Sequence, residues 1–353
     1  MKASGAAAPR ARPGALVISL DFELAWGVRD VFDADGPYRA HLLGAREAVP
    51  RLLDAFVGEG VAATWATVGI LFADGRDEAL AFAPEVRPAY HDRRLDPYPA
   101  LRGRDPREPV GEGEADDPLH FAGSLVRQIA EAPGQELASH TYSHLTAMEA
   151  GVTAEAFEAD LAAARAIAGA RGWTLRSLVM PRHQQRPDLL PLVAGAGFVA
   201  HRGPEPHRLA TPHAGVHDAP WRRLGRLADA VLPLTGANDA PWPRPDRHGL
   251  VDVPESRFLR PLLPRLGRWQ ERRIVGAMTA AARAGTICHL WWHPHNFGGD
   301  LEAHLAYLGR VLAAYRRLRD AYGFRSVSMG QVADEAARDA GAEASASGPS
   351  NPA

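Results

Sequence analysis

The stretch LVISLDFELAWG, residues 16–27, is a run of apolar and β-branched residues that ends in two carboxylates, Asp21 and Glu23. Residues two apart on an extended chain point the same way. The pair can therefore share one site, one acid ligating a cation while the other handles protons. A buried strand that delivers acids to its carboxyl end suits a parallel α/β sheet, where ligands collect because the backbone stops pairing and side chains reach into a crevice. The plainer alternative is a strand that runs into an acidic, solvated turn.

Histidines supply the rest of a possible metal centre. Three pairs have a spacing of four: His140/His144, His213/His217 and His289/His293. On a helical turn this spacing puts both imidazoles on one face, where they can grip one divalent ion. Context separates the three. The His213 pair sits in a Pro-rich irregular segment and reads as solvated. His140 and His144, in ASHTYSH, follow a short strand, so in a parallel barrel they lie on the rim that carries Asp21 and Glu23. Two imidazoles and one carboxylate leave a position open for water, as a hydrolytic metal requires. In CHLWWHPHNFGG, residues 288–299, a strand ends at His293, and Pro294 fixes the chain as it leaves the sheet. His293 is a candidate general acid, with a histidine-capped surface turn as the alternative. Trp291 and Trp292 must face opposite sides of their strand, and Cys288 and His289 are assigned to packing.

These residues need a scaffold. A chain of 353 residues, 46% hydrophobic and 23% charged, can bury a sizeable core. A formal net charge of −2 gives no global pull toward nucleic acid or an anionic membrane. The single cysteine, Cys288, rules out a disulfide framework and an all-thiolate zinc site. Residues 1–14 lack an apolar stretch of signal-peptide length, and no run approaches the roughly 20 apolar residues that span a bilayer. The expectation is a soluble cytoplasmic protein of undetermined oligomeric state.

Strand-like segments at 16–22, 61–67, 136–139, 175–180, 198–200, 286–292 and 324–329 alternate with helix-like ones at 44–59, 119–132, 153–170, 188–194, 269–284 and 301–318. Such alternation predicts parallel βα units and a barrel, with an open doubly wound sheet as the rival. Residues 74–118, with little periodicity, and the Pro-rich residues 203–254, with one helical patch near 224–232, read as long insertions facing the substrate. Residues 1–14 and the small-residue tail 341–353 are expected to be flexible.

Three motifs, in this order, resemble those of the polysaccharide deacetylase, or NodB-homology, family over most of residues 15–335. SLDFE resembles the family's first motif in a D-x-E form, SHTYSH its H-[ST]-x-x-H motif, and WHPHNF its last motif in an HPxN form. VAATWATVG, residues 61–69, resembles a supporting strand. The resemblance implies an irregular (β/α)7-type barrel in a single domain with long loop insertions. It also implies Asp21 as catalytic base, Glu23, His140 and His144 as ligands of a divalent metal, and His293 as catalytic acid. Zinc is the expected ion, with Co, Fe, Ni or Mn as alternatives. Glu23 replaces the family's usual aspartate. The family's arginine motif is absent as such, but MPRHQ, residues 180–184, stands in its place, and Arg182 is expected to pair with Asp21 and keep it ionised. A D-x-x-D-W motif is poorly matched by residues 218–221.

The implied activity is removal of an N-acetyl group from an amino sugar, either a polysaccharide precursor or a sugar conjugate, by metal-activated water. The alternatives are hydrolysis of another non-peptide C–N bond, as in cyclic ureides or imides, and an inactive barrel that binds carbohydrate.

Overall fold

A computed structural model describes residues 12–31, 36–215, 219–260 and 265–346. Its strands are β1 (Ala15–Phe22), β2 (Ala63–Thr67), β3 (Gln135–Ser139), β4 (Ser177–Leu178), β5 (Ala200–His201), β6 (Val251–Asp252), β7 (Arg257–Phe258), β8 (Ile287–Trp292) and β9 (Arg325–Ser326). Every ladder between them is parallel, in the order β6-β5-β4-β3-β2-β1-β8-β7, with β9 added to the start of β1. The two ends of this order are four residues apart in the chain. The stretch 251–258 pairs first with β5, where the Val253 amide donates to the His201 carbonyl at 2.9 Å, and then with β8, where Ser256 donates to His289 at 2.8 Å. It thereby joins the sheet's ends, and the chain forms the single-domain (β/α)7-type barrel expected from its sequence.

Side-chain alternation along β1 sorts two cores. Leu16, Ile18, Leu20 and Phe22 face outward and pack with the surrounding helices, among them Arg39–Glu59 and Leu301–Tyr322. Ala15 and Val17 point inward to Val179, Val251, Val253 and Ile287. Met329, Val332, Ala333 and Ala336 of the helix Met329–Ala346 join that inner cluster and plug the amino-terminal end of the barrel. The inward positions that follow, Ser19 and Asp21, are polar because they reach the open carboxyl end. Burying a large apolar side chain is worth about 1.5–3 kcal/mol, so the cost of gathering acids and imidazoles at one rim is set against an apolar plug at the other.

Helix boundaries follow local chemistry. Thr153 caps Ala154–Ala170 by accepting from the Ala156 amide at 3.2 Å. The helix Arg39–Glu59 ends where Gly60 turns left-handed at φ 63°. Three expectations change. His140 and His144 lie on an irregular loop after β3, with Thr141 at φ 62° and His144 at φ 56°, so backbone reversal rather than helical periodicity brings the two rings together. Strands β6 and β7 lie in and just after the supposed insertion 203–254, hidden because each ladder is only two residues long around Pro254. The last helix continues to Ala346, into the segment expected to be flexible. His217, Asp218 and most of the two termini lie outside the described residues. Among the described residues no helix is long and apolar enough to cross a membrane.

Candidate metal centre

Strand β1 hands its last inward residue, Asp21, and the residue just beyond the strand, Glu23, to one pocket that also contains His140, His144 and His293. Glu23 Oε2 lies 3.3 Å from His140 Nε2 and 3.2 Å from His144 Nε2, and all three residues are buried. The donor atoms of this trio lie within 4.8 Å of one another. His140 Nδ1 sits 2.9 Å from the Val179 carbonyl, which can only accept, so Nδ1 carries the proton. With Nδ1 so engaged, His140 presents Nε2 to the Glu23 carboxylate, as His144 does. One carboxylate oxygen and two imidazole nitrogens that converge within 4.8 Å fit a divalent ion, and this donor set suits zinc.

Electrostatics agree. Burial pushes the His144 pKa down despite Glu23, so its ring is neutral and able to ligate. For Glu23 burial acts upward, but the charge of His293 and the contacts from His140 and His144 outweigh it and hold the carboxyl well below its usual range. The donor atoms of a second trio, Glu23, His293 and His295, also lie within 4.8 Å of one another. Burial pushes His295 down to about 3. Both trios share Glu23. His293 Nε2 is farther from Glu23 than the other two imidazoles, at 3.5 Å to Oε1.

Asp21 is held by an arginine, though not by Arg182. Arg202, directly after β5, donates from Nη1 to Oδ1 and from Nη2 to Oδ2, both at 2.7 Å, and from Nη1 to Ser19 Oγ at 2.9 Å. Arg202 is 3% exposed. Burial alone would raise the Asp21 pKa, but the Arg202 charge, with smaller help from His140 and His293, drives it far below the ordinary value. The expected Arg182–Asp21 pair is therefore replaced by Arg202–Asp21. Arg182 instead bonds Asp30, because its backbone turns left-handed at φ 56° and carries the side chain away.

His293 faces both acids, with Nε2 3.9 Å from Asp21 Oδ2 and 3.5 Å from Glu23 Oε1. Asn296 Oδ1 accepts from the His293 backbone amide at 3.2 Å and lies 3.3 Å from Nδ1. Trp292 is fully buried, stacked on Phe297 at 5.8 Å, whereas Trp291 turns to the pocket side. His289 is buried inside the barrel, bonded to Ser19 Oγ at 2.8 Å.

Supporting residues were less visible in the sequence. Asp160, on the helix Ala154–Ala170, accepts from the Tyr142 amide at 2.5 Å, the Ser143 amide at 3.2 Å and the Ser143 hydroxyl, bracing the loop between His140 and His144. Gly27 leaves room for the Glu23 carboxylate: a Cβ there would lie 1.9 Å from Glu23 Cδ. Of seven described non-glycine residues with positive φ, His144, Arg182 and His183 line this pocket, and Leu24 and Thr141 directly follow Glu23 and His140 in the chain. Such backbone strain gathers where geometry is fixed for function. Arg202 had a usable signal, a cation one residue beyond a strand, whereas Asp160 and Gly27 act through tertiary contact alone.

No family model and no curated protein matches the sequence. Among solved structures, the chain is similar to one described as a polysaccharide deacetylase from Mycobacterium smegmatis, at 16% identity and TM-score 0.55, covering 96% of each chain. It is similar to the PuuE allantoinase at 13% identity and TM-score 0.55, covering 92% of this chain and 91% of that one. A further match, described as a polysaccharide deacetylase from Pseudomonas aeruginosa PAO1, has 12% identity and TM-score 0.52, covering 92% and 90%. At these identities the likeness establishes the barrel, and the barrel is the one these structures share.

Proposed function

We propose that this protein is a metal-dependent hydrolase that removes the N-acetyl group from an amino sugar, a polysaccharide precursor or sugar conjugate. One observation carries the reading: Glu23 faces two buried imidazoles, while Asp21, ionised by Arg202, and His293 line the same pocket. Glu23, His140 and His144 would hold a divalent ion, which would supply Lewis acidity and lower the pKa of a water toward about 7. The remaining work falls to the chain's own residues. Asp21 accepts the proton of the attacking water, and Arg202 keeps its carboxylate ionised and aimed. His293 gives a proton from Nε2 to the departing nitrogen, since Nδ1 is engaged by Asn296. Without that proton the amine is a poor leaving group and the adduct returns to amide. Each acid–base partner is worth about 100- to 10,000-fold in rate.

The test is a screen of N-acetylhexosamine conjugates with zinc-loaded protein, scoring free amine and acetate together. Acetate released in step with amine supports the reading. Opening of a cyclic ureide or imide without acetate would assign the same residues to another C–N bond. Sugar binding with neither product would leave only a carbohydrate-binding barrel.

A further inference from the structure

Beside the metal centre lies a cavity of about 470 Å³. Gly27, Arg182, His183, Phe258 and His293 belong to the walls of both spaces, so the two adjoin. The far walls come largely from the irregular stretch after β5, including His207 and Thr211. A ligand whose reacting group sits at His293 extends into this cavity.

Guanidinium groups dominate its charge. Arg257 and Arg273 share one carboxylate, Asp229. Arg182 is bonded to Asp30 through Nη2, while its Nη1 is a buried donor without a partner. Arg260 has no carboxylate partner among the described residues, and its guanidinium carbon lies 5.1 Å from the Phe258 ring. Burial works against its charge and so does the neighbouring Arg226, with Glu205 a smaller opposing influence. The nearby acids are otherwise engaged. Glu205 bonds His207 at 2.6 Å and Asn238 at 3.0 Å. Glu255 Oε2 lies 3.2 Å from His183 Nδ1 and 3.5 Å from Arg202 Nε, on the barrel side of the cavity.

An arginine keeps its charge near neutrality, and a partly desolvated guanidinium without a counter-ion is costly unless an anion reaches it. Between Arg260 and the metal centre stands an aromatic face. Phe258 stacks on Trp291 at 4.5 Å and meets the His293 ring edge-on at 6.3 Å.

We propose that this cavity receives an oxyanion carried by the substrate, a phosphate or a carboxylate, with Arg260 as its principal contact. The substrate class is then an anionic N-acyl sugar rather than a neutral glycan. This rests on the deacetylase reading only for the identity of the reacting end; the anion preference stands on the arginines.

The experiment is calorimetric binding to zinc-loaded wild type, Arg260→Gln and Arg260→Glu, using N-acetylglucosamine, N-acetylglucosamine 1-phosphate and N-acetylmuramic acid. Zinc content and melting temperature are measured on each protein. Wild type should bind at least one anionic sugar about 10- to 100-fold more tightly than the neutral one, the range of a charge-assisted contact. The preferred sugar identifies the oxyanion. Arg260→Gln should erase the preference and Arg260→Glu reverse it, with zinc retained. Equal binding of all three sugars by wild type would overturn the proposal. So would a preference that survives in Arg260→Gln, because the anion would then be held elsewhere. Should no sugar release acetate while the binding preference holds, the deacetylase reading fails and the anion site remains.

Discussion

Arg202 and Asp21 face each other as a two-point ion pair, both Nη atoms 2.7 Å from the two carboxylate oxygens, inside the carboxyl rim of the barrel. Removing one partner strands the other in a buried site, which typically costs about 3–5 kcal/mol, whereas removing both is far milder. Arg202→Met should therefore lower the melting temperature strongly. Asp21→Asn in that background should recover much of the loss, and chemical denaturation of the two singles and the double checks this as a thermodynamic cycle.

Gly27 makes a sharper demand on space. Gly27→Ala places a methyl group where the Glu23 carboxyl carbon would be 1.9 Å away, and Glu23 is the end that must move. The expected outcome is a folded protein with weakened metal affinity, about 10- to 100-fold in line with disturbance of a ligand's support. Metal titration with a competing chelator measures it.

Two trios share Glu23, and they can be told apart. His140→Ala should strip the ion, because His140 is oriented toward Glu23 by the Val179 carbonyl. His295→Ala should leave it bound. Elemental analysis of both variants decides, and loss in His295→Ala with retention in His140→Ala would move the centre to the other trio.

His289 gives stability a pH dependence away from the metal ligands. Burial, with the Arg202 charge, pushes its pKa down to about 3, against about 6.5 when unfolded. The unfolded chain therefore binds a proton that the folded one refuses. The stabilisation is complete above pH 6.5 and is lost as pH falls toward 3. His289→Gln keeps a side chain able to bond Ser19 and Val253 but does not titrate. The drop in melting temperature between pH 7.5 and 5 should be smaller in this variant than in wild type, as calorimetry at the two pH values would record.

Much of this was readable in the sequence because a parallel barrel converts order along the chain into position on a rim. Asp21, Glu23, His140 and His293 each stand at or just beyond a strand end, and the backbone reversal after His140 adds His144 to the same pocket. What was hidden depends on contacts across the fold. Strands β6 and β7 leave no periodic trace because two-residue ladders are too short to show one. Arg182 and Arg202 both follow strands, and only the left-handed turn at Arg182 sends one to Asp30 and leaves Asp21 to the other. Asp160 reads as one more acid on an amphipathic helix until its bonds to Tyr142 and Ser143 are seen.

Metal content measured alongside acetate release, in wild type and in Glu23→Ala, tests the central claim most directly. One divalent ion per chain should be bound by wild type and lost from Glu23→Ala, and acetate release should vanish with it. A metal-free wild type that still deacetylates, or a Glu23→Ala protein that keeps both ion and activity, would contradict the account.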